Sequence, residues 1–232
     1  MWSISDVKEK GKAAFKANYW RCVLVGLILT ILAAGSSATG SSGQAQNLEN
    51  TLNTLSSEEA RAVGLFIIHF AFFYVIAWIC LRLFLLNHVE VGCHNFLKKN
   101  ILTPGIDLSE LKAPFSDYKR TLITILLRDV FLALWFCLLF IPGIIKAYSY
   151  TMVPYILQDD PSLAPREVIN RSREMMNGHK WRAFLLDLSF IGWILLSLIT
   201  CGIVGLFWTN PYMHSTKAAL YLELKNGSAT QE

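Results

Sequence analysis

Three charged residues lie inside stretches of the sequence that are otherwise apolar. Arg128 and Asp129 occur within residues 121–141, and Asp187 occurs within residues 183–199. Transfer of a charged side chain into the bilayer costs free energy, so a charged residue inside a membrane segment suggests a functional site. Because Arg128 and Asp187 fall at similar depths, we expect an intramembrane ion pair that involves Arg128, Asp129 and Asp187. We favour a pair that fixes helix register, or an arginine that reaches back to the headgroups, over a role in transport or ligand binding.

Prolines interrupt two other apolar stretches, at Pro154 and Pro211. Interrupted helices flank the substrate site in many transporters, but proline is also frequent in membrane helices generally. A polar run precedes the first proline, so a small ligand cavity near the two kinks is the minority hypothesis. Its candidate lining residues are Lys146, Tyr148, Ser149, Tyr150, Pro154, Tyr155, Asn210, Pro211 and Tyr212.

The remaining polar residues predict neither catalysis nor cofactor binding. The sequence contains no Gly-rich phosphate loop, no HExxH helix and no nucleophile elbow. The cysteines have no paired spacing, so neither a disulfide framework nor a zinc site is predicted. His88, Glu90, Cys93 and His94 form a weak metal-binding pattern, which we do not favour. We therefore expect a protein that is not an enzyme and that binds no metal, no cofactor and no nucleic acid.

The elements that position these residues are membrane helices. Of the 232 residues, 53% are hydrophobic and only 16% are charged, whereas soluble domains carry about a quarter charged residues. A helix needs about 20 apolar residues to cross the hydrocarbon core of a bilayer. Six stretches approach or reach that length: residues 20–39, 62–86, 121–141, 144–157, 183–199 and 203–222. The predicted fold class is an all-α, polytopic integral membrane protein with six transmembrane helices.

The basic residues indicate how these helices are threaded. Most of the 21 Lys and Arg residues fall before the first stretch, between the second and third, between the fourth and fifth, or near the end of the chain. Loops rich in Lys and Arg stay in the cytoplasm. We therefore predict a multi-pass protein with both termini in the cytoplasm.

Two basic segments share one plan. Residues 6–21 and 162–182 each present an apolar face and a basic face and reach Trp-Arg just before an apolar stretch, and residues 88–120 are a looser third copy. Such helices lie in the headgroup layer and attract anionic lipid, although any inner boundary also collects Trp, Lys and Arg. We predict three amphipathic interfacial helices on the cytoplasmic face. The expected anionic-lipid contacts are Lys8, Lys12, Lys16, Trp20, Arg21, Arg166, Arg173, Lys180, Trp181 and Arg182.

The chain is predicted to form a single membrane domain over residues 1–232. Its parts are an interfacial helix, the first span and an outer loop at 1–61; spans two to four at 62–157, with an inner loop at 87–120; an interfacial helix and spans five and six at 158–225; and a tail at 226–232.

The second half of the chain carries recognisable motifs. They read Ile-Pro-Gly-Ile-Ile-Lys at 141–146, Gly-His-Lys-Trp at 178–181, Asp-Leu-Ser-Phe-Ile-Gly-Trp at 187–193 and Asn-Pro-Tyr at 210–212. With these motifs the chain resembles the bacterial family of polytopic membrane proteins called domain of unknown function nine-seven-five, over most of residues 6–224. It is more distantly similar to the membrane domain of glycerophosphodiester phosphodiesterases. The resemblance implies a protein of the bacterial cytoplasmic (inner) membrane and brings no catalytic residues.

Taken together, these patterns favour a non-enzymatic scaffold or accessory protein that binds anionic lipid and a membrane protein partner. The alternative is a small-molecule transporter or a substrate-binding transport subunit, in which the two kinked stretches would bound the site. A membrane enzyme that acts on lipid ranks third, because no paired acid and base and no metal group can be assembled.

Overall fold

The computed structural model describes residues 2–34, 57–103 and 105–229, and its regular elements are helices. In the described chain they are α1 (Ile4–Ala17), α2 (Tyr19–Ala34), α3 (Ser57–Leu81), α4 (Asn87–Leu102), α5 (Tyr118–Leu138), α6 (Phe140–Ser149), α7 (Val153–Asp159), α8 (Pro165–Met175), α9 (Lys180–Leu188), α10 (Ile191–Ile199) and α11 (Asn210–Ala229). A π-helical turn, Arg82–Leu86, joins α3 to α4, and another, Gly205–Thr209, precedes α11. A 3-10 segment, Leu108–Phe115, precedes α5. Most of the predicted outer loop lies outside the described residues.

Within the described chain, three helical segments are long and apolar enough to cross a membrane: Arg61–Leu102, Tyr118–Leu138 and Lys180–Ile199. The pair α1–α2, which is bent by 109°, would be a fourth if it is counted as one broken span. The expectation of an all-helical protein with membrane-spanning helices is therefore confirmed at this coarser level. Two predicted stretches are not among these segments. Residues 144–157 are divided between α6 and α7, which are 10 and 7 residues long, and residues 203–222 continue into the more polar α11.

The centre of the molecule is α4, which packs against α11, α2, α7 and the 3-10 segment. The interfacial helix and inner loop predicted over residues 88–120 stay a prediction, and the structure shows that α4 is packed among other helices. In the sequence, the polar residues of α4 are typical of a helix face that contacts water. In the structure, their side chains bond to other residues of the protein. The Asn100 amide donates to the carbonyl oxygen of Ala14 at 2.8 Å, and the buried Lys98 ammonium donates to Asp159.

Helix α1 packs its apolar face against α11. Phe15 is fully buried, and a Cβ atom added at Gly11 would lie 2.7 Å from the Cα atom of Thr216. The missing side chain of Gly11 thus lets the two helices approach closely. The expectation that this face lies among lipid headgroups is corrected, because the face forms part of the core. Lys12 and Lys16, on the opposite side of the helix, remain exposed.

Large apolar side chains are exposed along α3, at the turn between α5 and α6, and along α10. Phe66, Ile141 and Ile199, for example, are 71%, 72% and 79% exposed. Continuous apolar surface of this kind marks contact with lipid or with another protein. Most buried polar residues of the described chain lie instead on α4, α5 and α11, so the molecule has an apolar part and a part with a polar interior.

Candidate functional site

A partly buried polar cluster lies between α4, α5, α9 and α11, and we call it the interior polar cluster. Its first centre is Arg128 on α5, whose Nε and Nη2 atoms lie 2.9 and 2.8 Å from Asp129 Oδ1. The Nη1 atom of Arg128 lies 3.4 Å from Glu90 Oε1 on α4, and only 12% of the arginine side chain is exposed. A buried charge without a partner is destabilising, so the two carboxylates compensate this guanidinium.

The second centre of the interior polar cluster is Asp187 on α9. The Nζ atom of Lys217, on α11, lies 3.3 Å from Asp187 Oδ1, and the Tyr148 hydroxyl donates to Asp187 Oδ2 at 3.1 Å. The predicted pairing of Arg128 with Asp187 is therefore wrong, whereas Arg128 does pair with Asp129. The physical reason is that α11 places Lys217 beside Asp187. The depths of Arg128 and Asp187 along their own apolar stretches do not show that a third helix supplies the partner.

Two histidines connect these centres. The rings of His94 on α4 and His214 on α11 lie 5.9 Å apart, and His94 Nδ1 is 3.0 Å from the Tyr155 hydroxyl oxygen. Glu90 of the first centre is four residues from His94 on α4, and Lys217 of the second is three residues from His214 on α11. In the described part of the chain, His214 Nδ1 is buried without a hydrogen-bond partner. The cluster thus places two ion pairs beside two imidazole rings within one polar region of the protein.

Four members of the interior polar cluster were not assigned to it from the sequence: Glu90, His94, His214 and Lys217. Their spacing is the signal that could have found them, because Glu90 and His94 are four residues apart and His214 and Lys217 are three apart. Residues at these spacings share one helix face. The described residues contain no group of three or more His, Cys, Asp or Glu that could hold a metal ion.

The residues predicted to line a cavity near the proline kinks make contacts with several different helices in the described structure. Lys146 lies over the Trp135 ring, 4.6 Å from its centroid, and the Asn210 amide donates to Thr30 Oγ1 at 2.7 Å. The buried members of the set are Ser149, Tyr150, Pro154, Tyr155, Pro211 and Tyr212. The second kink is packed tightly, since a Cβ atom added at Gly26 would lie 2.9 Å from Pro211 Cβ.

The residues predicted to contact lipid fall into two groups. One group is exposed, and most members of the other form hydrogen bonds or ion pairs with residues of the same chain. The exposed residues are Lys12, Lys16, Trp20, Arg166, Arg173 and Trp181. Arg21 pairs with Asp107 at 3.0 Å, and Arg182 donates to the Trp2 carbonyl oxygen at 3.3 Å. Lys8 donates to Ser189 Oγ at 3.2 Å. Lys180 is partly buried beside a groove.

Two grooves lie beside the basic segments. The α1 groove has a volume of 650 Å³ and is lined by Ser5, Lys8, Glu9, Lys12, Ala13, Lys16 and Tyr212. The α6–α9 groove has a volume of 390 Å³ and is lined by Ile141, Ile144, Ile145, Tyr148, Lys180, Trp181 and Phe184. Most residues that line the first groove are polar or charged residues of α1, and most that line the second are apolar.

Comparison with known protein families matches residues 62–228 to the family described as Protein of unknown function (DUF975). The chain belongs to this family. No curated protein and no solved structure matches it. The resemblance inferred from the motifs of the second half is thus confirmed, and the likeness to phosphodiesterase membrane domains stays a prediction. The residues of the interior polar cluster all lie within the DUF975 match, whereas α1 and α2 precede it.

Side chains join α1 to the DUF975 region near the start of α9. The Trp2 Nε1 atom donates to His179 Nδ1 at 3.3 Å, and Arg182 holds the Trp2 carbonyl oxygen. Burial and the neighbouring charge of Arg182 lower the pKa of His179. The imidazole is therefore neutral at neutral pH and can accept this hydrogen bond. These contacts bring the two basic segments of the sequence side by side.

A separate ionic group, the Asp159 cluster, ties three helices of the DUF975 region together. Asp159 on α7 accepts from Lys98 on α4, and from Tyr221 and Lys225 on α11 at 2.6 and 2.7 Å. Burial alone would raise the pKa of Asp159, but the hydrogen bonds from Lys225, Lys98 and Tyr221 outweigh it and lower the pKa. The carboxylate is therefore ionised, and we assign this cluster a structural role.

Proposed function

We propose that this DUF975 protein is a non-enzymatic scaffold or accessory protein of the bacterial cytoplasmic membrane that binds anionic lipid and a membrane protein partner. In this proposal the chain crosses the membrane six times, both termini lie in the cytoplasm, and basic helices lie along the inner face. The exposed apolar surfaces of α3 and α10 are then available to lipid and to a partner protein.

The observation that carries the proposal is the lysine stripe of α1. Lys8, Lys12 and Lys16 follow one another at four-residue spacing and line the α1 groove. Lys12 and Lys16 are exposed and form no ion pair within the described residues. Because the apolar face of α1 packs on α11, attraction to lipid must come mainly from these charges. Each basic residue near an anionic membrane surface contributes about 1 kcal/mol of binding.

The position of two tryptophans also supports an inner membrane boundary. Trp20 and Trp181 are 73% and 68% exposed, and each lies in the first turn of its helix, α2 or α9. Tryptophan is enriched at the interface between headgroups and hydrocarbon. The 109° bend between α1 and α2 would let α1 lie along that interface while α2 enters the membrane.

The test is native mass spectrometry of the full-length protein, titrated with phosphatidylglycerol and with phosphatidylcholine of the same acyl chains. We expect tighter binding of phosphatidylglycerol and a loss of that preference as salt rises, because exposed charges are screened. Lys12→Gln with Lys16→Gln should weaken the preference. Lys112→Gln with Lys119→Gln, an exposed pair on another segment, is the matched control. A preference that is absent, or that does not depend on salt, would contradict the proposal.

Gentle extraction from the native membrane tests the partner. A protein that co-purifies at a fixed stoichiometry supports the scaffold or accessory role, and an ATPase among such partners would indicate transport. A chain that carries only lipid under conditions that preserve known membrane complexes would contradict the partner part of the proposal.

The interior polar cluster favours transport of a small charged molecule as a second candidate function. Its ion pairs and histidines lie on α11 and on helices of all three described segments that are long and apolar enough to cross a membrane. Under this alternative, one of a panel of small anions and amines should raise the melting temperature of the purified protein. Asp187→Asn should remove that shift. A panel with no shift at millimolar concentration would argue for the scaffold.

A further inference from the structure

A buried tyrosine whose hydroxyl has no hydrogen-bond partner lines the α1 groove. Tyr212 of α11 is 5% exposed and lies beside the lysines of α1. Its backbone carbonyl oxygen accepts from the Thr216 hydroxyl, but within the described residues no group bonds to its own hydroxyl. That oxygen is also not sealed inside the protein. Since a buried tyrosine hydroxyl usually has a partner, this one is available to donate to a molecule in the groove.

Lys8 is held close to this tyrosine. Its Nζ atom donates to Ser189 Oγ at 3.2 Å and lies 4.6 Å from the centroid of the Phe190 ring. The centroids of the Phe190 and Tyr212 rings are 5.0 Å apart. An ammonium has three N–H donors, so two remain after the bond to Ser189. The groove therefore presents a positioned ammonium and a hydroxyl donor near each other.

The lining of the α1 groove is positive overall. Lys12 and Lys16 line it together with Lys8, and none of the three forms an ion pair with a carboxylate of the described chain. The lining includes a single carboxylate, Glu9, against these three lysines. Lysine binds phosphate as a point charge, and a hydroxyl forms a short, strong hydrogen bond to an anionic oxygen. The groove is thus suited to a phosphate group.

We propose that the α1 groove is a defined site for the phosphate of one anionic phospholipid. The Tyr212 hydroxyl donates to a phosphate oxygen, and the Lys8 ammonium contacts the same phosphate. Lys12 and Lys16 extend the positive lining by one and two helical turns. This site rests on the proposed function and deepens it, because it adds a short-range hydrogen bond at one position to the general attraction of the lysines.

The aromatic residues near the groove favour a lipid headgroup as the source of this phosphate. The centroid of the Trp208 ring lies 6.5 Å from that of Tyr19 and 6.2 Å from that of Trp193. Such a group of tyrosine and tryptophan rings is typical of the boundary between headgroups and hydrocarbon. Tyr212 follows Trp208 by four residues, about one helical turn. In the proposed orientation the groove therefore lies at the level of the headgroups.

The test measures binding of phosphatidylglycerol to the full-length protein by native mass spectrometry at several salt concentrations. Tyr212→Phe removes the hydroxyl, keeps the ring and breaks no side-chain hydrogen bond of the described residues. We expect it to weaken the tightest binding by about tenfold or more, because a hydrogen bond to a charged group is lost. The loss should be the same at low and at high salt, since the charges are unchanged. Lys12→Gln with Lys16→Gln should instead weaken binding mainly at low salt.

Matched variants separate the site from its surroundings. Tyr74→Phe removes an exposed hydroxyl from α3 and should bind as wild type. Ala13→Trp keeps the hydroxyl of Tyr212 but places a large side chain in the groove lining, so it should lose the tight site. Ala17→Trp, at an exposed position of α1 outside that lining, should keep it. Melting temperatures close to wild type confirm that each variant is folded.

The outcomes distinguish this site from the proposed function. If wild type shows no preference for phosphatidylglycerol over phosphatidylcholine, the proposed function fails and the site fails with it. If wild type shows the preference but Tyr212→Phe and Ala13→Trp both bind as tightly, the site is refuted while the proposed function stands. Glycerol 3-phosphate carries a phosphate without acyl chains, and at equal concentration it should not displace the lipid. Displacement would identify a soluble phosphate as the ligand and overturn the lipid assignment.

Discussion

Replacement of Asp159 by asparagine tests the packing of α4, α7 and α11 around one buried charge. The Lys98 side chain is 3% exposed and the Asp159 side chain is 18% exposed, so the lysine depends on this carboxylate for compensation. Removal of one partner of a buried ion pair costs about 3–5 kcal/mol, because the other charge is left buried alone. Asparagine keeps one oxygen that can accept a hydrogen bond. We therefore expect a loss of about 3 kcal/mol, at the lower end of that range.

Thermal unfolding in detergent, followed by tryptophan fluorescence, measures this loss. A change of 1 kcal/mol shifts the melting temperature by about 2–4 °C for a chain of this size, so Asp159→Asn should lower it by about 6–12 °C. The neighbouring carboxylate provides the matched control. Asp160 is exposed, and Asp160→Asn should leave the melting temperature within about 2 °C of wild type, as surface substitutions usually do.

Two results would refute this account of the Asp159 cluster. The first is an equal melting temperature for Asp159→Asn and Asp160→Asn. The second concerns the double variant Lys98→Met with Asp159→Asn, which removes both members of the buried pair. Neutral replacement of a whole buried pair is often tolerated, so the double variant should be more stable than Asp159→Asn alone. A double variant that is less stable would show that Lys98 does not need the carboxylate.

The same carboxylate makes the effect dependent on pH. The pKa of Asp159 is lowered in the folded protein. Its contribution to stability is therefore complete above the unfolded pKa of about 3.9, and it is lost as the pH falls through the lower pKa of the folded state. The difference in melting temperature between wild type and Asp159→Asn should be constant from about pH 7 to pH 5 and should shrink below about pH 4. A difference that grows on acidification would contradict the sign.

Two further experiments test contacts between helices. Gly11→Ala should lower the melting temperature by roughly 2–12 °C, because the new methyl group meets the Thr216 backbone at 2.7 Å and overpacking costs about 1–3 kcal/mol. Gly227→Ala, which meets nothing within 4 Å, should not lower it, and equal losses would argue against the close approach of α1 and α11. Asp187→Lys and Lys217→Asp should each reduce the yield of folded protein, and the double exchange should restore most of it, with a coupling of about 0.5–3 kcal/mol. A double exchange worse than either single change would show that the two side chains do not pair in the membrane.

The charged residues of the apolar stretches show which part of the interior polar cluster can be predicted from the sequence. The cost of a charge in hydrocarbon makes Arg128 and Asp187 conspicuous in a single sequence, and both belong to the interior polar cluster. Their partners follow from the packing of α4 and α11, which supply Glu90 and Lys217. Periodicity predicts the face of a helix on which a residue lies, but not which other helix that face meets.

The sequence by itself determined the class of this protein: helical, apolar enough to cross a membrane, and a member of the DUF975 family through motifs in its second half. These properties depend on composition, on runs of apolar residues and on local motifs, which can be read along the chain. Only the tertiary structure decided the roles of α1 and α4. Both have amphipathic or polar patterns that are typical of a membrane surface, yet α4 is central and the apolar face of α1 is buried. The physical reason is that a face excluded from water gains as much from another helix, here through the close contact at Gly11, as from a layer of lipid.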